Sequence, residues 1–362
     1  MLNSMLCHKC HRKLLATLLG RTSTTIGTIG SLHRRLSVVF YGSDEFSLET
    51  LKVLNHHFKR HTSGDTTALI TRLEVVLSSR HNIISRFAQQ NQLTSHEFPY
   101  ELPPKIYDLG VVSSFGYLIP NRAIKACRLG MLNIHGSLLP RWRGAAPVNY
   151  AVLHGDPITG ITIMRVKPKK FDIGDIVLQM DYKIPHRMTA KQLKAQLAPA
   201  GAQLLWKCLL DLENNLNNSK PQPNEGITFA PKFDETYGLI NWSTMTATDI
   251  DRRFRAFVDF IDICTHWTDG TPVKLYDIVD PQVVSTLQLN RLSSQSKPKP
   301  GLVYYHKKRR ILCISCADNT WSAFGSVTLK GHKRMSALQF NNGFISRHES
   351  ELILGHQMQS VL

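Results

Sequence analysis

No Asp or Glu occurs in this chain before Asp44. The acid-free stretch carries Lys9, Arg12, Lys13, Arg21, Arg34 and Arg35 among many Ser and Thr. Basic, hydroxyl-rich and acid-poor is the composition of a mitochondrial targeting segment, so residues 1–35 are expected to be a removable presequence. The alternative is a disordered basic arm. Cysteine is also sparse: seven, an odd number, scattered without a framework, which excludes a disulfide-built fold. Cys7-His8-Lys9-Cys10-His11 spells a haem-attachment pattern but lies inside the expected presequence. Cys313-Ile314-Ser315-Cys316 has zinc-like spacing without a second pair, in an alternating run that reads as a core strand. No metal is therefore expected. No apolar run of about eighteen residues occurs, so no membrane-spanning helix is expected and no membrane partner. The three spaced glycines of a dinucleotide fingerprint are missing as well, which disfavours a nicotinamide-dependent enzyme.

Against these absences stands a surplus of positive charge. The formal charge is +17 and the isoelectric point about 9.7. Loss of the six presequence cations would leave +11. A surplus of that size calls for a polyanionic partner, with nucleic acid the leading candidate. The 362 residues suit two domains, and the 42% hydrophobic content can fill a core in each.

The expected first domain spans residues 36–213. Leu36–Tyr41 is an apolar run of strand length, Gly42-Ser43-Asp44 turns the chain, and Glu45–Phe58 has helical spacing. Short strand material is expected at Leu69-Ile70 and Val75–Leu77, and strands at Leu109–Phe115, Met131–His135 and Gly160–Val166. Helices are expected at Asn82–Gln92, Arg122–Cys127, Pro147–Leu153 and Ala190–Leu212. Alternating strands and helices imply a doubly wound α/β fold with a mostly parallel sheet. Asn214–Pro223 is too polar and proline-rich to pack, so residues 214–240 read as a linker. Residues 241–340 then read as a smaller, basic, β-rich domain, an open β-barrel, with residues 341–362 as a tail.

The densest chemical signal is the run from Asn133 to Pro147, Asn-Ile-His-Gly-Ser-Leu-Leu-Pro-Arg-Trp-Arg-Gly-Ala-Ala-Pro. Asn133 and His135 stand two apart at the end of an expected strand, so alternation puts both on one face. In open α/β sheets ligands bind beyond the carboxyl ends of the strands. An amide donor and a titratable imidazole would thus share a ligand edge. Asp172, in Lys169-Lys170-Phe171-Asp172-Ile173-Gly174-Asp175, can reach that edge from a neighbouring strand. Taken singly, an Asn–His pair is more often structural and an Asp in a Gly-bearing loop more often a turn former.

The run resembles the signature loop of the methionyl-tRNA formyltransferases, within the folate-dependent formyltransferase superfamily. The resemblance extends to Val38–Ser47, Val111–Pro120, Gly155–Val166, Phe171–Ile176 and, past the linker, Thr228–Lys232, Ile240–Ser243, Arg255–Phe257 and Pro272–Lys274. It implies transfer of the formyl group of 10-formyltetrahydrofolate to the amino group of methionine on initiator tRNA, in the mitochondrial matrix, by a monomer without metal. Asn133 would donate to the formyl oxygen as it gains negative charge. His135 would stabilise that charge and assist proton transfer, and Asp172 would hold His135 in its cationic or donor form. Preorganised donors at such an oxygen are commonly worth roughly 3–4 kcal/mol each. Phe115, Gly116, Tyr117, Leu118, Ile119, Ser137, Leu138, Leu139 and Pro140 would contact the folate. Arg80, Arg141, Arg143, Lys307, Lys308, Arg309, Arg310, Lys333 and Arg334 would face tRNA.

The chain departs from the family in three places, one of them Ile173, a larger residue than the family usually carries between the acidic loop's Asp and Gly. The basic insertion that bacterial members carry after the second strand is reduced to Thr71–Asn82. After Arg255-Ala256-Phe257, the usual Asn-Pro-Trp-Pro is replaced by Val258-Asp259-Phe260-Ile261. The competing readings are a sibling enzyme that formylates a small amine or releases formate, and a catalytically silent RNA-binding relative.

Overall fold

The computed structural model describes residues 35–289, 297–347 and 351–355. The expected presequence and its Cys7–His11 pattern lie outside these residues.

The chain enters through β1 (Leu36–Gly42), whose Val38, Val39 and Phe40 are fully buried. Helix α1 (Glu45–Thr62) follows at once. Asp44 caps it: its carboxylate accepts from the Ser47 amide at 3.0 Å while Ser47 Oγ accepts from the Asp44 amide at 3.0 Å. Next come β2 (Ile70–Leu77), α2 (Ile83–Gln90, capped by Asn82), β3 (Thr94–Glu97), β4 (Leu109–Ser113), α3 (Asn121–Ala126) and β5 (Met131–His135). The first domain continues with α4 (Pro147–His154), β6 (Ile158–Arg165), β7 (Ile176–Lys183) and α5 (Ala190–Leu210).

The seven strands form one sheet in the order β3-β2-β1-β4-β5-β6-β7. The pairs from β3 to β5 are parallel, whereas β5–β6 and β6–β7 are antiparallel. The sheet is thus mostly parallel, as expected. From β1 the chain moves outward to β2 and β3, then returns to β4 on the other side. The crevice at the carboxyl ends of β1 and β4 is a topological switch point, the place where such sheets bind ligands. Helix α5 lies close under β5 because Gly201 has no side chain there; an added Cβ would stand 3.1 Å from Ile134 Cγ2.

Two strands of this sheet were not anticipated. Thr94–Glu97 is a mostly exposed, polar edge strand without an apolar face. Ile176–Lys183 closes the opposite side of the sheet path. The stretch Asn214–Pro223, expected to be unpacked, begins inside α6 (Leu212–Asn217). Leu212 and Leu216, four residues apart, are both buried and dock that turn. Lys220 then exchanges backbone hydrogen bonds with Ile176, at 2.7 and 2.9 Å, along the sheet edge.

The second region starts with α7 (Ala247–Phe257), then β8 (Cys264–His266), β9 (Pro272–Ile278), α8 (Pro281–Ser285), β10 (Val303–His306), β11 (Ile311–Ser315), β12 (Trp321–Leu329), β13 (Met335–Ser336) and α9 (Ala337–Gly343). Its sheet is antiparallel, in the order β10-β11-β12-β9-β8 with β13 on β12. Cys313 and Cys316 are buried in its core. Within the stretch expected to be a tail, Leu352 and Leu354 are buried, and their backbones bond Val303 and Gly301.

Candidate active site

A cavity of about 370 Å³ opens at the switch point. Asp44 and Phe46 line it from the start of α1, Val112 and Ser114 from the end of β4, and Asn133 and His135 from the end of β5. Met164, Val166, Lys167, Lys170, Phe171 and Asp172 line it from β6 and the loop that follows.

The three expected catalytic residues meet here. His135 is 5% exposed and Asp172 8%. His135 Nδ1 lies 3.5 Å from Asp172 Oδ1, and the Asn133 amide donates to the same oxygen at 3.3 Å. His135 Nε2 lies 2.8 Å from the carbonyl oxygen of Trp142. A carbonyl has no hydrogen to give, so Nε2 must carry one and donate it. Both ring nitrogens therefore face acceptors, an arrangement that suits a ring able to take up a second proton at Nδ1.

Asp172 is itself held from several sides. Its φ is +54°, in the left-handed region, and its Oδ2 accepts from the Gly144 amide at 2.8 Å. Gly144 must be glycine: its φ is +124°, and an added Cβ would stand 2.7 Å from the Ala230 carbonyl oxygen. Ala230 belongs to a segment that pairs with the signature loop. Arg143 donates its amide to Thr228 at 2.9 Å, and Ala230 donates to Arg143 at 2.7 Å. The Trp142 amide donates to Thr228 Oγ1 at 2.9 Å. The Gln222 amide nitrogen donates to the carbonyls of Asp172 and Gly174, at 2.8 and 2.9 Å. Its oxygen accepts from the Arg143 guanidinium at 3.0 and 2.7 Å. The expected linker thus bolts the signature loop and the Asp172 loop together. Sequence reasoning missed this role, since Gln222 stands 79 residues from Arg143.

Phe115, Gly116, Tyr117, Leu118 and Ile119 line one wall of the cavity, as expected for a flat ring. Phe115 is buried edge-on against Tyr41 and Phe98, while Tyr117 and Leu118 are half-exposed. Ser137, Leu138, Leu139 and Pro140, the other expected folate contacts, follow β5 directly and lie beside the residues that line the cavity. They are stitched to β6 and β7. Ser137 Oγ donates to the Arg141 carbonyl at 2.6 Å, the Leu139 amide donates to Thr162 Oγ1 at 3.0 Å, and the Gln179 amide donates to the Leu139 carbonyl at 2.9 Å. These four residues shape the turn that carries the signature loop.

The candidate nucleic-acid contacts divide. Arg141 forks onto Asp156 at 2.8 and 2.6 Å and lies over the Trp142 ring, so its charge is paired within the fold. Arg143 is held by Gln222. Arg80 pairs with Glu97, and Arg334 pairs with Asp277 at 2.7 Å over the Tyr276 ring. Lys307, Lys308, Arg309 and Arg310 fill the exposed turn between β10 and β11, and Lys333 is exposed; their side chains have no partner among the described residues. Residues the sequence did not single out also reach the cavity: Lys194 on α5 and Lys232 after the paired segment.

Comparison with known proteins agrees with this geometry. A family model described as Formyl transferase matches residues 38–209, and one described as Formyl transferase, C-terminal domain, matches residues 232–345. Fold and site thus define a two-domain formyl transferase. Solved structures agree in fold. One is an N-formyltransferase from Helicobacter canadensis in complex with folinic acid and dTDP-3-aminofucose (TM-score 0.57, 16% identity, covering 80% of this chain and 98% of that one). Another is a sugar N-formyltransferase from Shewanella (TM-score 0.52, 19% identity, 66% and 96%). The mitochondrial methionyl-tRNA formyltransferases of Bos taurus and Homo sapiens are each 40% identical over 312 residues, covering 85% of this chain and 77% of theirs. The methionyl-tRNA formyltransferase of Acidobacterium capsulatum is 29% identical and is covered over 99% of its length. The chain belongs to the methionyl-tRNA formyltransferase family.

Proposed function

We propose that this protein transfers the formyl group of 10-formyltetrahydrofolate to the amino group of methionyl-tRNA, in the mitochondrial matrix, with Asn133, His135 and Asp172 as its catalytic residues. The observation that carries the chemistry is their convergence, buried, in a cavity at the sheet's switch point. The cavity suits a folate: an aromatic and aliphatic wall, Phe115 to Ile119, faces the polar trio across a space sized for a small molecule. When bound, the folate supplies a formyl carbon at the acyl level.

The residues divide the remaining work. The Asn133 amide, now resting on Asp172, donates to the formyl oxygen as charge builds there. Donors placed in advance at such an oxygen contribute more than water would, because they need not reorganise. His135 is anchored at Nε2 by Trp142 and is free to move a proton at Nδ1. It takes the proton that the attacking amine loses and passes it towards the leaving nitrogen of the folate. The Asp172 carboxylate faces Nδ1 and steadies the ring while it carries that proton. The Gly144 amide keeps Asp172 in place throughout. Affinity for the polyanion comes from the unpaired cations of the second domain, foremost Lys307 to Arg310.

The test is an acceptor panel with labelled 10-formyltetrahydrofolate: methionine-charged initiator tRNA, the same tRNA uncharged, and small amines. Label on the charged methionine alone is the expected outcome. Label on a small amine, or free formate independent of acceptor, would assign the chain to a sibling reaction.

A further inference from the structure

One cation in the cavity has no role in the account above. Lys194 lies on α5, is half-buried, and lines the same cavity as Asn133, His135 and Asp172. Its ammonium sits 4.8 Å over the Phe260 ring. No carboxylate oxygen of a described residue comes within 4.0 Å of it. The acids around the cavity are occupied elsewhere: Asp172 by Gly144 and Asn133, Asp175 by Lys167, and Asp44 as the cap of α1. Burial holds the Lys194 amine below the usual lysine range, with Asp44 only partly opposing.

A half-buried cation with no acid in ion-pair reach is a cost to the fold, with Asp44 acting on it only from a distance. Such a site is completed by an anion that arrives with a ligand. Its surroundings indicate which. Phe260 follows α7 and Lys232 opens the second family match, so this rim of the cavity faces the second, basic region. Phe260 in turn packs on Phe233, ring centres 5.8 Å apart, next to Lys232. The folate wall is built from other residues, Phe115 to Ile119. A cavity of about 370 Å³ admits an aminoacyl end and its nucleotide but no duplex. Whatever delivers methionine to Asn133 and His135 therefore enters as a single strand, with its last phosphates at the rim.

Resting on the formylation reading above, we propose that Lys194, held by Phe260, is a positioning residue that binds a backbone phosphate at the single-stranded 3′ end of the acceptor tRNA. No bond is made or broken there. The ion pair sets how far the aminoacyl end reaches into the cavity.

The experiment is steady-state formylation by the full chain with Lys194→Met and Lys194→Arg, varying each substrate in turn. Met keeps the aliphatic stem and the packing on Phe260, and melting curves report the fold. Lys194→Met is expected to raise KM for methionyl-tRNA about 10-fold, leave KM for 10-formyltetrahydrofolate unchanged, and lower the salt slope of tRNA KM by about 0.7, the value for one single-strand phosphate. Lys194→Arg is expected to restore most of the affinity and the slope. An unchanged tRNA KM and slope would overturn the proposal and make Lys194 a packing residue. A raised KM for the folate alone would also overturn it, assigning the ammonium to the carboxylates of the folate tail. Should wild-type enzyme fail to formylate methionyl-tRNA, the formylation reading itself would fall, whatever the variants do.

Discussion

The basic residues of the signature loop and those of the turn between β10 and β11 look alike in sequence and differ in the fold. Arg141 and Arg143 are held by Asp156 and Gln222, and their carbonyls and amides knit the loop that fixes Asp172 and His135. Lys307 to Arg310 stand exposed, without a side-chain partner among the described residues. A paired cation is part of the scaffold, whereas an unpaired one is available to phosphate. The first region should therefore govern rate and the second affinity, and variants in each can test that division.

The largest effect short of His135 itself is expected from Asn133→Ala, which removes the amide donor. The turnover rate should fall about 100- to 1,000-fold with tRNA KM little changed, measured by single-turnover transfer at saturating tRNA. A matching rise in KM would instead move Asn133 into binding. Gly144→Ala comes next. The positive φ and the closeness of the Ala230 carbonyl leave no room for a methyl, so Asp172 loses its amide partner. A displacement of that kind costs about 10- to 100-fold in rate, and the melting temperature should drop as well. A wild-type rate alongside a lowered melting temperature would show that the loop's position is not what matters.

Neutralising Lys307, Lys308, Arg309 and Arg310 together should raise tRNA KM roughly 10-fold and flatten its salt dependence by about 0.7–0.9 for each phosphate left unneutralised, with turnover at saturation intact. An unchanged salt slope would return the turn to plain solvent exposure. The smallest effect lies outside both regions. His57 stacks on Trp206 with ring centres 3.3 Å apart, and burial, helped by His56 and Arg60, lowers its pKa to about 4. The folded ring stays neutral where the unfolded one takes up a proton. Stability should therefore be full above the ordinary histidine range near 6.5 and decline as pH falls towards 4. His57→Phe keeps the stack and should flatten that decline in melting curves without touching either rate or affinity.

Much of this was legible in the sequence, for identifiable reasons. Strands such as Leu36–Gly42 and Leu109–Ser113 are buried on both faces and so read as apolar runs. Asn133 and His135 declare their common face through the two-residue period of a strand. What stayed hidden depends on partners far away in the chain. Thr94–Glu97 has no apolar face to betray an edge strand. Leu212 and Leu216 were too few to mark a helix against the asparagines around them. The loop arginines could not be sorted from the free ones, because Asp156 and Gln222 find them only through the fold. Ser137 to Pro140 adjoin β5 in sequence, but their anchoring by Thr162 and Gln179 could not be read from it. Lys194 sits in a helix whose sequence says nothing of where its amine ends.

The central claim is that the buried trio performs the transfer. It is tested most directly by His135→Ala, with single-turnover formyl transfer to methionyl-tRNA and tRNA affinity measured on the same preparation. Transfer should fall at least about 1,000-fold with affinity nearly intact. Transfer near the wild-type rate would remove His135 from the mechanism, and parallel loss of tRNA affinity would make the cavity a binding site rather than a catalytic one.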